Sequence, residues 1–204
     1  MAMTRVLVLH SVSLMRSALA ALLKTEGSFE VSSAGWRSAR RYVGALRPDV
    51  CVVDLDCPGT AALLEGGERD GEACPVPRAG LLVLASAGRP GALRRAFEAR
   101  ALGFVDKHGS PQRLVRGITK VAAGERFVDE SLAFGFLEAS RMPLTARELS
   151  VLARAAEGES IAEIARGLHL SNGTVRNYMA SATRKVGARN RIDAIRITQG
   201  AGWV

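Results

Sequence analysis

The sequence predicts an α/β chain: a doubly wound sheet of five parallel strands over residues 1–125, a connector over 126–142, and a small all-helical domain over 143–204. Three observations carry that prediction. Short apolar runs alternate with amphipathic stretches through the first 125 residues. The runs are continuously apolar, as in strands buried on both faces, and do not alternate with polar residues. From Pro143 onward the pattern is helical to the last residue.

Each element follows in order. RVLVL (5–9) reads as the first strand and LMRSALAALL (14–23) as the helix after it. FEVSSA with SARRYVGAL forms the second unit, and VCVVDL opens the third. That third unit is the weak one, because TAALLEGGERDGEACPVPRAG (60–80) offers one or two helical turns and then a Gly, Pro and acid-rich loop, expected to be mobile. LLVLA with ALRRAFEARA, and GFVDK with QRLVRGITKVAA, complete the five units. RFVDESLAFGFLEASRM (126–142) reads as a short helical connector.

Composition narrows the function classes. The 204 residues are 48% hydrophobic and 24% charged, as in ordinary globular proteins. The longest apolar stretches, Val50–Val53 and Leu81–Ala85, fall far short of a bilayer span, and the first twenty residues carry no cleavable signal pattern. The expectation is a cytoplasmic protein with no membrane partner. Cys51, Cys57 and Cys74 make an odd set without CxxC spacing, which argues for reduced thiols over a disulfide framework or a zinc site. Net charge is +8, from 28 basic and 20 acidic residues, which makes a polyanion partner worth testing. Residues 171–192 hold Arg176, Arg184, Lys185, Arg189 and Arg191 and no acid at all. Solvated faces usually mix signs, so this run leans toward phosphate contact.

In the C-terminal domain, Thr145 with Glu148 and Ser160 with Glu163 have capping-box form and fix two helix starts. The first helix carries Leu149, Leu152, Ala153 and Ala156 at helical spacing, and the second carries Ile161, Ile164, Ala165 and Leu168. After a short turn Ser171 caps a third helix, whose Val175, Tyr178, Met179, Ala182 and Val186 face the other two. The opposite face presents Gly173, Arg176, Asn177, Ala180 and Arg184. A major groove admits such a helix, with the small Ala180 at the crossing point. Arg bonds guanine bidentately and Asn bonds adenine, so Arg176 and Asn177 are the base-reading candidates. Ser171, Asn172, Thr174, Arg184, Lys185, Arg189 and Arg191 suit phosphates.

These residues resemble the LuxR-type helix-turn-helix output domain. The match covers L-T-x-R-E from Leu144, I-A-x-x-L-x-L-S-x-x-T-V-R from Ile164 and K-x-G-A-R-N-R from Lys185. Regulators of the NarL/FixJ subclass join this domain to an N-terminal receiver of flavodoxin-like fold, which the first 125 residues resemble in strand order and in PDVCVVDLDCPG (48–59). The resemblance implies double-stranded DNA as partner, and a dimerisation helix after Asn190. That helix offers Ile192 with Ile195, and Ala194 with Ile197 and Ala201, as two apolar stripes, one to pack inward and one outward.

In receivers, an acidic pair after the first strand and an aspartate after the third hold Mg²⁺, while a hydroxyl after the fourth strand and a lysine after the fifth contact the phosphoryl group. Asp54 and Lys107 match the phosphoacceptor aspartate and the lysine. His10 and Ser11 stand where the acidic pair belongs, and Ala85 stands at the hydroxyl position with Ser86 one residue late. Mg²⁺ wants oxygen ligands, so imidazole and a neutral hydroxyl are poor substitutes. Asp54 and Lys107 are instead expected to form a standing ion pair. Asp56 is expected to be a loop residue whose backbone carbonyl points inward, although its carboxylate could approach the pocket and partly restore a metal site. His10 has no activated nucleophile or second base beside it, and no phosphate-cradling Gly-rich turn follows the first strand, so neither catalysis nor a cofactor is expected.

The sequence reading is therefore a homodimeric, DNA-binding transcription regulator with an atypical receiver not switched by ordinary phosphorylation. Two rivals stay open. One is a conventional two-component response regulator phosphorylated by a sensor kinase; the other is a regulator whose altered pocket binds a small-molecule ligand.

Overall fold

The computed structural model describes residues 3–64 and 80–204. The strands are β1 (Thr4–Leu9), β2 (Phe29–Ala34), β3 (Val50–Asp54), β4 (Gly80–Ala85), β5 (Gly103–Asp106) and β6 (Phe127–Val128). The helices of the first unit are α1 (Ser13–Thr25), α2 (Ala39–Leu46), α3 (Pro58–Leu64), α4 (Pro90–Glu98) and α5 (Pro111–Ala122). All pairings are parallel and the strand order is β2-β1-β3-β4-β5-β6.

The sheet therefore has six strands, where five were expected. The added strand is only Phe127–Val128, paired to Gly103–Phe104 of β5. Two residues are too few to leave a periodic signal, which is why the segment read as part of a helical connector. The rest of 126–142 is a 3₁₀ turn (Glu130–Leu132) and α6 (Ala133–Ser140). The Gly, Pro and acid-rich part of the third unit, with Cys74, lies outside the described residues. Cys51 is fully buried in β3 and Cys57 is buried just beyond it.

The continuous apolar runs have the predicted cause. Leu7, Leu9, Cys51, Val53, Val83, Ala85 and Phe104 pack on one face of the sheet, with Ala39, Leu63, Leu93 and Ala96 from α2, α3 and α4. Val6, Val8, Val50, Val52, Leu82, Leu84 and Val105 pack on the other, with Leu23 of α1 and Leu114, Ile118 and Val121 of α5. Successive side chains of one strand enter opposite layers, so both parities must be apolar.

The principal division of the chain into compact units falls between Phe136 and Leu137. The second unit contains α7 (Ala146–Ala156), α8 (Ile161–Leu168), α9 (Asn172–Lys185) and α10 (Arg191–Gly200). Its core joins Val151, Leu152 and Ala155 of α7, Ile164 and Ala165 of α8, Val175 and Ala182 of α9 and Ala194 of α10. The α7 stripe is thus displaced by one position from the one expected. Glu148, Val151, Leu152 and Ala155 are buried, while Leu149, Ala153 and Ala156 are only partly so. Among the described residues no helix is long and apolar enough to cross a membrane.

Candidate nucleic-acid interface and receiver-like pocket

In the second unit both capping boxes form as their sequences require. Thr145 and Glu148 exchange hydrogen bonds at the start of α7, and Ser160 and Glu163 do so at the start of α8. α8 ends on His169 in the left-handed conformation (φ 55°), which lets the chain reverse in one residue before Ser171 caps α9. The Ser171 hydroxyl accepts the Thr174 amide at 3.1 Å. Val175 and Ala182 are fully buried, and Tyr178, Met179 and Val186 pack against the same core.

That anchoring leaves the other face of α9 in solvent. Gly173, Arg176, Asn177, Ala180 and Arg184 are all exposed, and neither Arg176 nor Arg184 has an ion-pair partner among the described residues. The α9 N-terminus adds exposed Ser171 and Asn172, with Thr174 half-buried beside them. A helix presenting two arginines, an amide and a small residue in one acid-free stripe has the shape and the donors to enter a DNA groove.

The remaining basic residues are more committed than the sequence suggested. Lys185 gives its ammonium to Glu148 at 2.8 Å. Arg189 reaches Asp193 at 3.3 Å, and Arg191 donates to the Glu159 carbonyl at 2.9 Å. Arg189 is largely exposed, so its guanidinium keeps room for a phosphate, whereas Lys185 is tied to a structural partner.

Glu148 is the organising residue that sequence reasoning took only as a cap. Its side chain is 4% exposed. It accepts from the Thr145 amide at 2.7 Å, the Thr145 hydroxyl at 3.0 Å, the Ser181 hydroxyl at 2.7 Å and Lys185. Burial pushes its pKa upward, but the Lys185, Thr145 and Ser181 donors outweigh that and bring it down to about 2. One carboxylate thereby pins the start of α7 to the middle and end of α9. The available signal was Ser181 and Lys185 lying on the α9 flank at i, i+4 spacing.

α10 corrects the expected stripes. Ile192 is 78% exposed, whereas Ile195 packs against both core clusters and Ala194 and Thr198 are buried. Ile192 and Ile195 therefore do not act as one stripe, since the first stands in solvent and the second packs inward. Ile197 and Ala201 are half-buried. Asn190 caps the helix through the Asp193 amide, and Asp193 in turn holds Arg189 and Arg196. The Arg189 backbone amide and then Arg196 keep its carboxyl low, at about 2.

In the first unit the strand ends converge as parallel topology dictates, with Leu9 beside Ala34 and Val53, and Ala85 beside Asp106. His10 is buried. Its Nδ1 accepts the Val12 amide at 3.0 Å, so in the neutral ring the proton sits on Nε2, which lies 3.7 Å from the Asp54 carboxylate. The Ser11 hydroxyl contacts the Cys57 thiol at 3.3 Å. Lys107 lies 3.5 Å from Asp54 and in direct contact with Asp56. Burial lowers its pKa, but the Asp56 hydrogen bond and the Asp54 charge more than compensate and hold it above the ordinary lysine value.

Asp56 is therefore not the outward-turned loop residue expected. Its carboxylate is in the pocket, paired to Lys107, because the Asp56 amide bonds back to Asp54 Oδ1 at 2.8 Å and turns the loop inward. Ala85 is buried at the end of β4 and contributes only its carbonyl, to the Lys107 amide at 3.0 Å. Ser86 follows it, half-buried. An ammonium between two carboxylates, with an imidazole facing one of them, is a donor set that suits Mg²⁺ poorly. Among the described residues no cluster of three or more His, Cys, Asp or Glu side chains could hold a metal ion.

Comparison with known proteins bears on the family and the fold. Residues 142–198 match the bacterial regulatory proteins of the luxR family. The chain is similar to the response regulator RamR of Streptomyces coelicolor, with 52% identity over 98% of each chain. It is also similar to the transcriptional regulatory protein DesR of Bacillus subtilis, at 32% identity over 98% of this chain and 99% of the relative. Among solved structures, the two-component response regulator RcsB in complex with DNA superposes with a TM-score of 0.62 at 21% identity, over 98% of this chain and 99% of that one. Salmonella typhimurium RcsB superposes at 0.60, covering 96% and 99%.

Proposed function

Because this chain belongs to the response regulators that carry a LuxR-type DNA-binding domain, we propose that it is a homodimeric, sequence-specific transcription regulator of the cytoplasm whose receiver-like domain works without Mg²⁺-dependent phosphorylation. In this reading residues 1–125 form the receiver-like domain, 126–142 the linker and 143–204 the DNA-binding domain.

The observation that carries the DNA reading is the exposed, acid-free stripe of α9. Arg176 and Asn177 read base edges, Ala180 lets the helix approach the groove floor, and Arg184 with the α9 N-terminus takes phosphates. The dimer contact is assigned to α10, through exposed Ile192. The pocket reading rests on Lys107 bridging Asp54 and Asp56 while His10 and Ser11 replace two carboxylates. With Lys107 already shared by two carboxylates, little positive charge is left there to neutralise an incoming phosphoryl group.

Selection of bound DNA from a random pool tests the DNA reading. A recovered two-fold symmetric site supports it; recovery of unrelated sequences rejects it. A conventional phosphorylated regulator is the second reading, favoured by the retention of Asp54 and Lys107 within 3.5 Å of each other. Incubation with Mg²⁺ and a small phosphodonor decides between them, since covalent labelling of Asp54 is the outcome only the second reading allows.

A further inference from the structure

We propose that Asp129 is a clasp that fastens the start of the linker to the end of β5 and makes the linker responsive to the neighbouring Lys107 pocket. Asp129 is 2% exposed, and a carboxylate that buried needs a dense set of donors. It has them from three segments. The Asp106 amide of β5 lies at 3.4 Å, the Ser131 amide at 3.2 Å and the Ser131 hydroxyl at 2.9 Å, and Arg113 of α5 is paired to the same carboxylate. The Ser131 hydroxyl also lies 2.8 Å from the Asp106 carboxylate. The chain on either side of the junction is thus held through one buried charge.

Replacing such a charge by apolar packing is often neutral for stability, so stability alone is a weak reason for it. Its position supplies another. Asp106 directly precedes Lys107, whose ammonium touches Asp56 and approaches Asp54, so a displacement at the pocket lysine reaches the clasp through one peptide unit. The loop has little slack to absorb it. A Cβ on Gly109 would come within 3.0 Å of the Asp106 carbonyl and 3.5 Å of the Asp129 carboxylate. Beyond the clasp, Leu132 is fully buried in the sheet core beside Phe104. Opening the clasp withdraws that anchor, which gives the linker a seated and a released form.

The clasp is read from the first unit alone, but its effect on output rests on the DNA-binding reading. Amide hydrogen exchange on the full chain tests the clasp without DNA. Asp129→Asn, and Arg113→Ala as a milder surface change, are expected to speed exchange at the Asp129 and Leu132 amides roughly tenfold. Lys107→Ala, which touches neither amide, is expected to do the same, and the Lys107→Ala, Asp129→Asn pair to add little more. If the clasp variants leave those amides protected, or if Lys107→Ala leaves them at the wild-type rate, the proposal is overturned. DNA affinity measured on the same proteins should change about threefold or more. A wild type that binds no DNA specifically overturns the DNA-binding reading, while the exchange arms still decide the clasp.

Discussion

Glu148 and Arg176 mark the two extremes of what a single side chain does in the helical unit. Glu148 titrates near 2 in the folded chain against an ordinary 4.5. Its stabilisation is therefore complete above about pH 4.5 and fades as pH falls toward 2, and the shift corresponds to at most about 3 kcal/mol. Urea unfolding of wild type and Glu148→Gln, followed by amide exchange in α7 and α9, should show a stability gap at pH 7 that shrinks by about half or more at pH 3. A pH-independent gap would mean that packing, not charge, is what the substitution removes. Lys185→Ala leaves Glu148 buried without its cation, so its effect on DNA binding comes mixed with a stability loss. Arg176 and Asn177 carry no such burden, being exposed and outside the core. Their alanine variants should lose about 1–3 kcal/mol on the specific site and little on random DNA, measured by titration at fixed salt. Equal losses on both would move them from bases to phosphates.

At the scale of elements, the sequence was legible where periodicity or capping is strong and illegible where a contact is made across the fold. β1 to β5, both capping boxes and both faces of α9 could be read because each is encoded within a few consecutive residues. β6 has two residues and no period, so only its pairing to β5 identifies it. The α7 stripe slipped by one position because Glu148, a charge, occupies a buried site that an apolar pattern skips. Asp56 was misplaced because its direction is set by a backbone bond to Asp54, which no spacing rule encodes. α10 shows the same limit, since two apolar registers were visible and only packing chose between them. The choice has a consequence. Ile192→Glu should weaken self-association in sedimentation with little change in melting, because Ile192 is 78% exposed. Ile195→Glu should instead unfold the helical unit, because it places a charge between two core clusters. Dimers that survive Ile192→Glu intact would shift the contact to the receiver-like domain.

For the whole molecule the question is whether the first unit commands the second through phosphate. A receiver must gain a charge at its aspartate and have that charge sensed. Here Lys107 already spans Asp54 and Asp56, and a histidine faces Asp54 from the strand end that would supply carboxylates. On the reading proposed above, the electrostatic change available on phosphorylation is small, because the cation that would respond is already engaged and an imidazole and a neutral hydroxyl stand where oxygen-ligand carboxylates would be needed for a metal. Asp54→Asn should accordingly leave operator affinity close to wild type, with a modest stability loss as Lys107 keeps Asp56 alone. Addition of a beryllofluoride-type phosphoryl mimic with Mg²⁺ should alter neither dimerisation nor affinity, followed by sedimentation and by DNA titration. A large gain in DNA affinity with the mimic, abolished by Asp54→Asn, would show that the pocket still takes a phosphoryl group. It would also require Asp56 to leave Lys107 and turn its carboxylate to the metal.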